Sequence, residues 1–237
     1  MPKIAIVAAL EREVRPLIRN WRACEREYGG RRFRFFQQGD AVLVCGGIGA
    51  EPARRAAEAV TALFSPEIVY SVGFAGALVA ELKVGAVLQP SEVVDARDAS
   101  RVPAKGTDGI LVTYPSLATP EHKAKLRESY AAQIVDMEAA AVARAAQVRG
   151  VEFSAVKVIS DEFDFKFPLT DRFVDSAGNF LESQFAIHAA LRPWIWPAVF
   201  RLAGNSSRAS RALCDWLGRH LQAIGGPSPV KLVASRT

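Results

Sequence analysis

Apolar runs of strand length alternate with helical segments along the first two thirds of this 237-residue chain. Residues 4–9 form one continuous apolar run, which is typical of a central strand covered on both faces, and residues 11–20 then predict a helix. The order continues in the same β/α manner as far as residue 159. It predicts a three-layer α/β/α fold, with helices on both faces of a central mixed, largely parallel sheet.

The remaining elements follow this order up to residue 164, where the character of the chain changes. Residues 95–109 are polar and contain Gly and Pro, so we expect a surface loop there. We expect a single domain over residues 1–225, with a helical C-terminal extension at about 181–224 and a flexible tail at 226–237. The predicted elements are a hairpin of strands 31–37 and 41–45, strands at 68–72, within 84–94, at 110–113 and 153–159, and helices at 52–64, 120–130, 138–149, 181–191, 194–202 and 206–224, the last with Ser206 as its N-cap.

Composition limits the classes of partner. The net charge of +5 is dispersed, which favours a solvated surface and no nucleic-acid partner. The alternative is contact with something acidic, such as a nucleotide or an anionic membrane. The three cysteines and three histidines are scattered, which predicts free thiols and no metal site. Because the start resembles no signal peptide and no apolar run approaches the roughly 20 residues of a membrane span, we expect a cytoplasmic protein.

Two acidic groups stand at the ends of predicted elements in the middle of the chain. An acid–Met–Glu triplet that ends in Met137 and Glu138 leads abruptly into an Ala-rich helix, whose dipole tolerates a carboxylate at that end. Ser160 and Asp161 end the apolar strand that follows. Ordinary helix capping is the alternative interpretation of Ser160 and Asp161.

Two further features lie nearer the N-terminus. Glu13 follows the first strand, where a carboxylate can simply compensate a helix dipole. The turn Gly46-Gly47-Ile48-Gly49 precedes a helix but fits neither common phosphate-binding glycine pattern. It therefore indicates either a tight backbone turn or close approach by a ligand.

Three acids at three strand ends suit the cleavage of a purine N-glycosidic bond. The leaving base must be neutralised, and a carboxylic acid near the purine N7 does this by general-acid catalysis. The ribosyl fragment develops positive charge that nearby carboxylates stabilise. A third carboxylate can activate water.

The pattern resembles the nucleoside phosphorylase/nucleosidase superfamily, and its layout is most similar to the methylthioadenosine/S-adenosylhomocysteine nucleosidase branch. The resemblance implies a phosphorylase/hydrolase-like fold, cleavage of an adenine nucleoside, no metal or organic cofactor, and a homodimer or larger oligomer. It covers about residues 3–164. The segments that carry it are 4–14, 46–49, 72–76 with 82–85, 135–143 and 156–164.

The resemblance also implies roles for individual residues. Glu13 falls on the water-activating glutamate, and Asp161 falls on the acid that protonates N7, supported by Ser160. Met137 and Glu138 fall on the ribose-binding pair. The other positions expected to contact substrate are Ile48, Gly49, Gly73, Phe74 and Lys157.

Several positions depart from the family pattern. Phe74 stands where nucleosidases usually have Ser, and Lys157 where they have Arg, so the bidentate fork is lost. Ser71 stands where related phosphorylases have a phosphate-binding Arg, which favours hydrolysis. Phosphorolysis and a catalytically weakened nucleoside-binding protein remain the alternatives. The base-contacting positions fall on the small residues Ala118 and Thr119, and the loop 95–109 is short, which indicates an open pocket for a larger substrate.

The C-terminal third supports such a substrate. Residues 190–202 combine tryptophans, other apolar residues and arginines, and this indicates helices that cap the sheet, a dimer interface, or a surface that touches lipid. The ending resembles hopanoid-associated phosphorylase-like proteins. That resemblance implies removal of adenine from a lipid-linked adenosine such as adenosylhopane, and peripheral contact with the inner membrane face.

Overall fold

The computed structural model describes residues 2–166 and 196–225. Within these ranges, eleven strands form one sheet and five helices flank it. The strands are β1 (Ile4–Ala8), β2 (Arg22–Tyr28), β3 (Arg31–Gln38), β4 (Ala41–Cys45), β5 (Ile68–Ala77), β6 (Val87–Leu88), β7 (Glu92–Asp95), β8 (Arg101–Pro103), β9 (Ile110–Thr113), β10 (Ile134–Asp136) and β11 (Glu152–Asp161). The helices are α1 (Glu11–Ile18), α2 (Ala50–Phe64), α3 (Pro120–Tyr130), α4 (Ala139–Val148) and α5 (Trp196–Gly225).

Parallel pairings form the centre of the sheet. Strands β4, β1, β5 and β11 run side by side in parallel, and so do β10, β9 and β7. Antiparallel pairs extend the two edges as β2–β3–β4 and β7–β8, and β10 joins the two parallel groups by running antiparallel to β5. The predicted mixed α/β sheet is therefore confirmed.

The period-two alternation of β1 divides the core into two layers. Ile4 and Ile6 face a cluster completed by α1 and α5, whereas Ala5 and Val7 face a cluster completed by α2 and α4. A smaller third cluster lies beneath α3. Because both faces of β1 are covered, its continuous apolar sequence is explained.

Helix α5 contradicts one prediction. Residues 194–202 and 206–224 were expected to form two helices with Ser206 as an N-cap, yet Trp196–Gly225 is continuous and Ser206 lies in its interior. Gly204 costs a helix only about 1 kcal/mol. The burial of Ala209, Leu213 and Leu217, four residues apart on the face toward the sheet, outweighs that cost. The predicted helix 181–191 and the tail 226–237 lie outside the described residues, and the single domain stays a prediction.

Two strands differ from expectation at the edges of the sheet. The predicted loop 95–109 contains the short strand β8, which pairs with β7. Strand β2 was not predicted, because its sequence is polar and its side chains are largely exposed. Hydrogen bonds to β3 along its whole length hold β2 in place. Such pairing leaves no apolar pattern in the sequence of β2.

Helix α1 is short and contains a proline in its second turn. Pro16 has no N–H to give to the carbonyl of Arg12, four residues earlier. Ser210 Oγ of α5 lies 3.3 Å from that carbonyl oxygen and 2.9 Å from the carbonyl oxygen of Glu13. Helix α5 thus fixes the turn that carries Glu13. None of the helices in the described ranges is both long and apolar enough to cross a bilayer.

Candidate active site

The candidate site lies where the two parallel groups of strands meet. Strand β5 pairs with β11 from Ile68 to Gly76, with β1 over its first half and with β10 at its end. Gly73 lies opposite Lys157, and Gly76 lies opposite both Asp161 and Val135. Ligands bind at such switch points, outside the carboxyl ends of parallel strands.

Glu13 is buried against this point. The residue is 6 % exposed, and none of the described residues forms a hydrogen bond with its Oε2. A Cβ on Gly73 would lie 2.9 Å from that oxygen, and φ of Gly73 is +148°, so this position requires glycine. Burial raises the pKa of Glu13 to about 7, although Lys157 and backbone hydrogen bonding at Leu10 lower it in part. The carboxyl is therefore a proton acceptor with an open position at neutral pH.

A buried ion pair lies beside Glu13. Lys157 Nζ is 2.8 Å from Asp136 Oδ2 and donates to Ser71 Oγ at 3.1 Å, and both charged side chains are almost fully buried. Thr113 Oγ1 donates to Asp136 Oδ1 at 2.7 Å. Period-two alternation places Lys157 and Ser71 on the same face of the sheet. The ammonium is the positive centre of a group of carboxyls.

Glu138 belongs to the same charge group. Its Oε1 accepts from Gly49 N at 2.8 Å and its Oε2 from Met137 N at 3.2 Å. The pKa of Glu138 is raised to about 7, first by burial and then by the Asp136 carboxylate, while Lys157 opposes the rise. Burial and the Asp136 carboxylate therefore outweigh the stabilising effect of the helix dipole that the sequence indicated.

The N-terminus of α4 is capped by other residues. Asp136 Oδ2 accepts from Ala139 N at 2.9 Å, and Thr113 Oγ1 accepts from Ala140 N at 2.9 Å. Glu138 is the residue before the first helical turn and makes no side-chain capping bond. Its carboxyl is thus directed to the glycine turn rather than to its own helix.

The glycine turn brings the backbone to Glu138. Gly47 and Gly49 have φ of +110° and +96°, so both adopt conformations that favour glycine. A Cβ on Gly46 would lie 2.8 Å from the carbonyl oxygen of Pro52 in α2. The turn is therefore tight, and its last N–H binds a carboxylate of the protein. Ile48, which lies between Gly47 and Gly49, is half-buried.

Asp161 forms a second group at the end of β11. Ser160 Oγ donates to Asp161 Oδ1 at 2.7 Å, and Lys123 Nζ lies 2.5 Å from Asp161 Oδ2. A Cβ on Gly76 would lie 2.7 Å from that same Oδ2. Ser160 and Asp161 end a strand, and residues 162–166 form no helix, so the capping interpretation is wrong.

Phe74 takes a different direction from its neighbours in β5. It is half-buried and packs, with Tyr70 and Val72, against the core under α1 and α5. Ser71 and Gly73 alternate to the opposite face. The structure thus brings together Glu13, Gly49, Gly73, Met137, Glu138 and Lys157 in one group and Ser160 and Asp161 in the other, at one end of the sheet. The catalytic and binding roles of all these residues stay predictions.

Three polar residues of the site were missed. Asp136 is the first acid of the acid–Met–Glu triplet, so a signal for it existed. Thr113 ends β9 opposite Asp136, and only the strand register shows that contact. Lys123 lies in a helix rich in exposed charges and had no signal in the sequence. In the described part of the chain, no cluster of His, Cys, Asp and Glu side chains is arranged to hold a metal ion.

Fold and site define the class: a three-layer α/β protein with buried acids gathered at the carboxyl ends of its central strands. A family model for the phosphorylase superfamily matches residues 3–128 and 106–190. These overlapping matches cover most of the chain. The chain belongs to the phosphorylase superfamily, and it is a glycosyl-bond-cleaving enzyme by class.

Solved structures share the fold over nearly the whole chain. The 5′-methylthioadenosine/S-adenosylhomocysteine nucleosidase of Helicobacter pylori has a TM-score of 0.70 at 17% identity, covering 94% of this chain and 99% of its own. The 5′-methylthioadenosine nucleosidase of Arabidopsis thaliana has 0.71 at 19%, covering 96% and 98%. Futalosine hydrolase of H. pylori has 0.69 at 16%, covering 94% and 98%. Identities this low show a common fold, and the family resemblance seen in the sequence is confirmed.

Proposed function

We propose that this protein hydrolyses the N-glycosidic bond of a purine nucleoside, with adenine as the leaving base. The observation that carries the proposal is Glu13, whose buried carboxyl has a pKa of about 7 and an oxygen that pairs with no residue in the described ranges. A base with a pKa near the working pH combines ionisation with proton affinity, which suits the activation of water. The nucleosidases that share this fold support the same reaction.

The other two acids fit the remaining parts of the substrate. Glu138 is held by two backbone N–H groups at the glycine turn, and its carboxylate can accept hydrogen bonds from ribose hydroxyls. Asp161 lies across β5 from this group and is the acid for the purine N7. Electrostatic stabilisation of the ribosyl cation then comes from the carboxyls nearest to C1′.

The charge of the site favours water over phosphate as the nucleophile. The carboxyls of Glu13, Asp136 and Glu138 surround the Lys157 ammonium, which already binds Asp136 and Ser71. A phosphate dianion would meet an excess of negative charge at low dielectric, whereas a water molecule would not. This supports hydrolysis, with phosphorolysis as the alternative.

Release of free adenine is the test. The wild-type protein is incubated with adenosine and 5′-methylthioadenosine, with and without phosphate, and adenine is quantified by chromatography. We expect release that does not depend on phosphate. Asp161→Asn should lower turnover about 100-fold or more, the usual scale for a general acid. Asp164→Asn is the matched control, because Asp164 is exposed three residues further on, and it should keep normal turnover.

Other outcomes separate the alternatives. Strict dependence on phosphate, with ribose 1-phosphate as product, would identify a phosphorylase. Adenine binding without any release of base would identify a nucleoside-binding protein. Normal turnover of Asp161→Asn would remove Asp161 from the mechanism.

We further propose that the natural substrate is a lipid-linked adenosine such as adenosylhopane. The support comes from the start of α5, where Trp196 is 45% exposed and Phe200 is 69% exposed. The guanidinium of Arg201 lies 4.5 Å from the ring centroid of Phe165, which follows Asp161 by four residues. Aromatic and basic side chains of this kind suit the interface of a membrane. In this proposal, these side chains form a lipid-facing surface beside the site. The protein then binds peripherally to the cytoplasmic face of the inner membrane and acts in hopanoid biosynthesis.

The lipid hypothesis has its own test and control. Adenine release from adenosylhopane in mixed micelles is compared with release from 5′-methylthioadenosine. Phe200→Ser should raise KM for the lipid substrate severalfold and leave the small nucleoside unaffected. Val148→Ser is the control, since Val148 is also an exposed apolar residue but lies at the end of α4. Good turnover of the small nucleoside together with none of the lipid would end the hypothesis.

The family resemblance also supports a homodimer. Light scattering during size-exclusion chromatography should give a mass of two chains, and a mass of one chain would contradict it.

A further inference from the structure

A fully buried lysine contacts the acid at the end of β11. Lys123 has 0% side-chain exposure, and its Nζ lies 2.5 Å from Asp161 Oδ2 and 2.7 Å from the carbonyl oxygen of Glu162. An apolar pair of similar volume would stabilise the fold as well or better, because burying two charges is costly. Stability alone therefore does not explain an ammonium at this position.

The hydrogen bonds show which groups donate to Asp161. Asp161 Oδ1 accepts from Ser160 Oγ at 2.7 Å, and Asp161 Oδ2 accepts from Lys123. Both oxygens of Asp161 therefore accept hydrogen bonds, and the donor to Oδ2 is an amine that can pass a proton to the carboxyl. A proton that Asp161 gives to a leaving base can therefore be supplied by this neighbour.

The fold is shaped to allow this contact. A Cβ on Gly76 would lie 2.7 Å from Asp161 Oδ2, 3.1 Å from Lys123 Cε and 3.2 Å from Lys123 Nζ. Only glycine at that position of β5 leaves room for the pair. Lys123 also lies one helical turn after Thr119, the N-cap of α3 and a position that the family resemblance places beside the base. The pair therefore lies on the base side of the site.

We propose that Lys123 is the positioning residue of Asp161 and the source of the proton that Asp161 passes to the leaving purine. The inference rests on the proposed function. In the step, Asp161 gives a proton to the purine N7 and takes a proton from Lys123. The C1′–N9 bond breaks with its electron pair moving into the purine, water forms a bond to C1′, and the water proton goes to Glu13. Lys123 is left as an amine and Glu13 as an acid, and exchange with solvent restores both.

Two substrates with different leaving groups test the proposal. Adenosine needs protonation at N7, whereas 4-nitrophenyl β-D-ribofuranoside releases a stable anion that needs no proton. Lys123→Met should lower kcat for adenosine about 100-fold or more, the scale of a lost acid. It should change turnover of the nitrophenyl riboside by less than about fivefold, because that bond breaks without an acid. The nitrophenyl reaction also reports that the variant is folded.

Two further variants complete the experiment. Lys125→Met, an exposed lysine of the same helix, should behave as wild type on both substrates. Lys123→Arg keeps the positive charge but does not release a proton, so it should stay as slow as Lys123→Met on adenosine. Equal losses of Lys123→Met on both substrates would show a structural role and overturn the proposal, as would unchanged turnover of adenosine or its recovery in Lys123→Arg. Absence of base release by the wild-type protein would instead overturn the proposed function, and the Lys123 proposal with it.

Discussion

Glu13 should make the stability of the protein depend on pH in a direction opposite to that of most carboxylates. Its pKa is about 7 in the folded protein, against an ordinary value of 4.5, because the carboxyl is buried. Each pKa unit corresponds to about 1.4 kcal/mol, so this difference amounts to about 3 kcal/mol. Between pH 4.5 and 7 the unfolded chain releases this proton while the folded chain keeps it. Stability is therefore greatest below 4.5 and is lost as the pH rises to about 7.

Glu13→Gln removes this dependence. The free energy of unfolding of the variant minus that of wild type should rise by about 3 kcal/mol from pH 4.5 to 7 and then level off. Urea unfolding at intervals of half a pH unit measures it, and a constant offset from the substitution cancels in the comparison. Glu11→Gln is the matched control on the same helix, where the side chain is 44% exposed. A difference that stays flat between pH 4.5 and 7 would refute the assignment of a buried, protonated Glu13.

Two other substitutions test the packing of the site, and a third tests helix α5. Lys157→Met leaves Asp136 buried without its partner, and should lower the free energy of unfolding by about 3–5 kcal/mol in urea; a loss below 1 kcal/mol, roughly that of an exposed pair, would contradict the buried pair. Gly76→Ala places a Cβ 2.7 Å from Asp161 Oδ2 and should abolish most adenine release, and normal kcat would show that the group tolerates displacement. A Cβ on Gly218 of α5 would meet no atom of the described residues within 4 Å, so Gly218→Ala should stabilise the protein by up to about 1 kcal/mol, and any destabilisation would reveal a hidden contact.

The elements that could be predicted are those whose environment is written in their own sequence. Strand β1 is apolar throughout because it is buried on both faces, and the hairpin of β3 and β4 shows its turn at Gly39. Strand β2 and the continuity of α5 could not be predicted. The first has no apolar pattern of its own and is held by hydrogen bonds to β3 across the turn at Gly29 and Gly30. The second depends on burial against the sheet, which outweighs a local glycine.

The candidate site divides in the same way. Glu13, Glu138 and Asp161 could be selected because acids at the ends of apolar strands are conspicuous. Their neighbours could not, since Lys123 precedes Asp161 by 38 positions and Gly49 precedes Glu138 by 89. Only the fold brings such residues within hydrogen-bonding distance.

The sequence by itself determined the β/α alternation of the central elements, the superfamily and the three candidate acids, because periodicity and residue type are local properties. The tertiary structure decided what those acids can do. Burial raises the pKa of Glu13 and Glu138 to about 7, while a lysine from α3 donates a hydrogen bond to Asp161. The charge state of a carboxyl depends on the dielectric and the charges around it, and these exist only once the chain has folded.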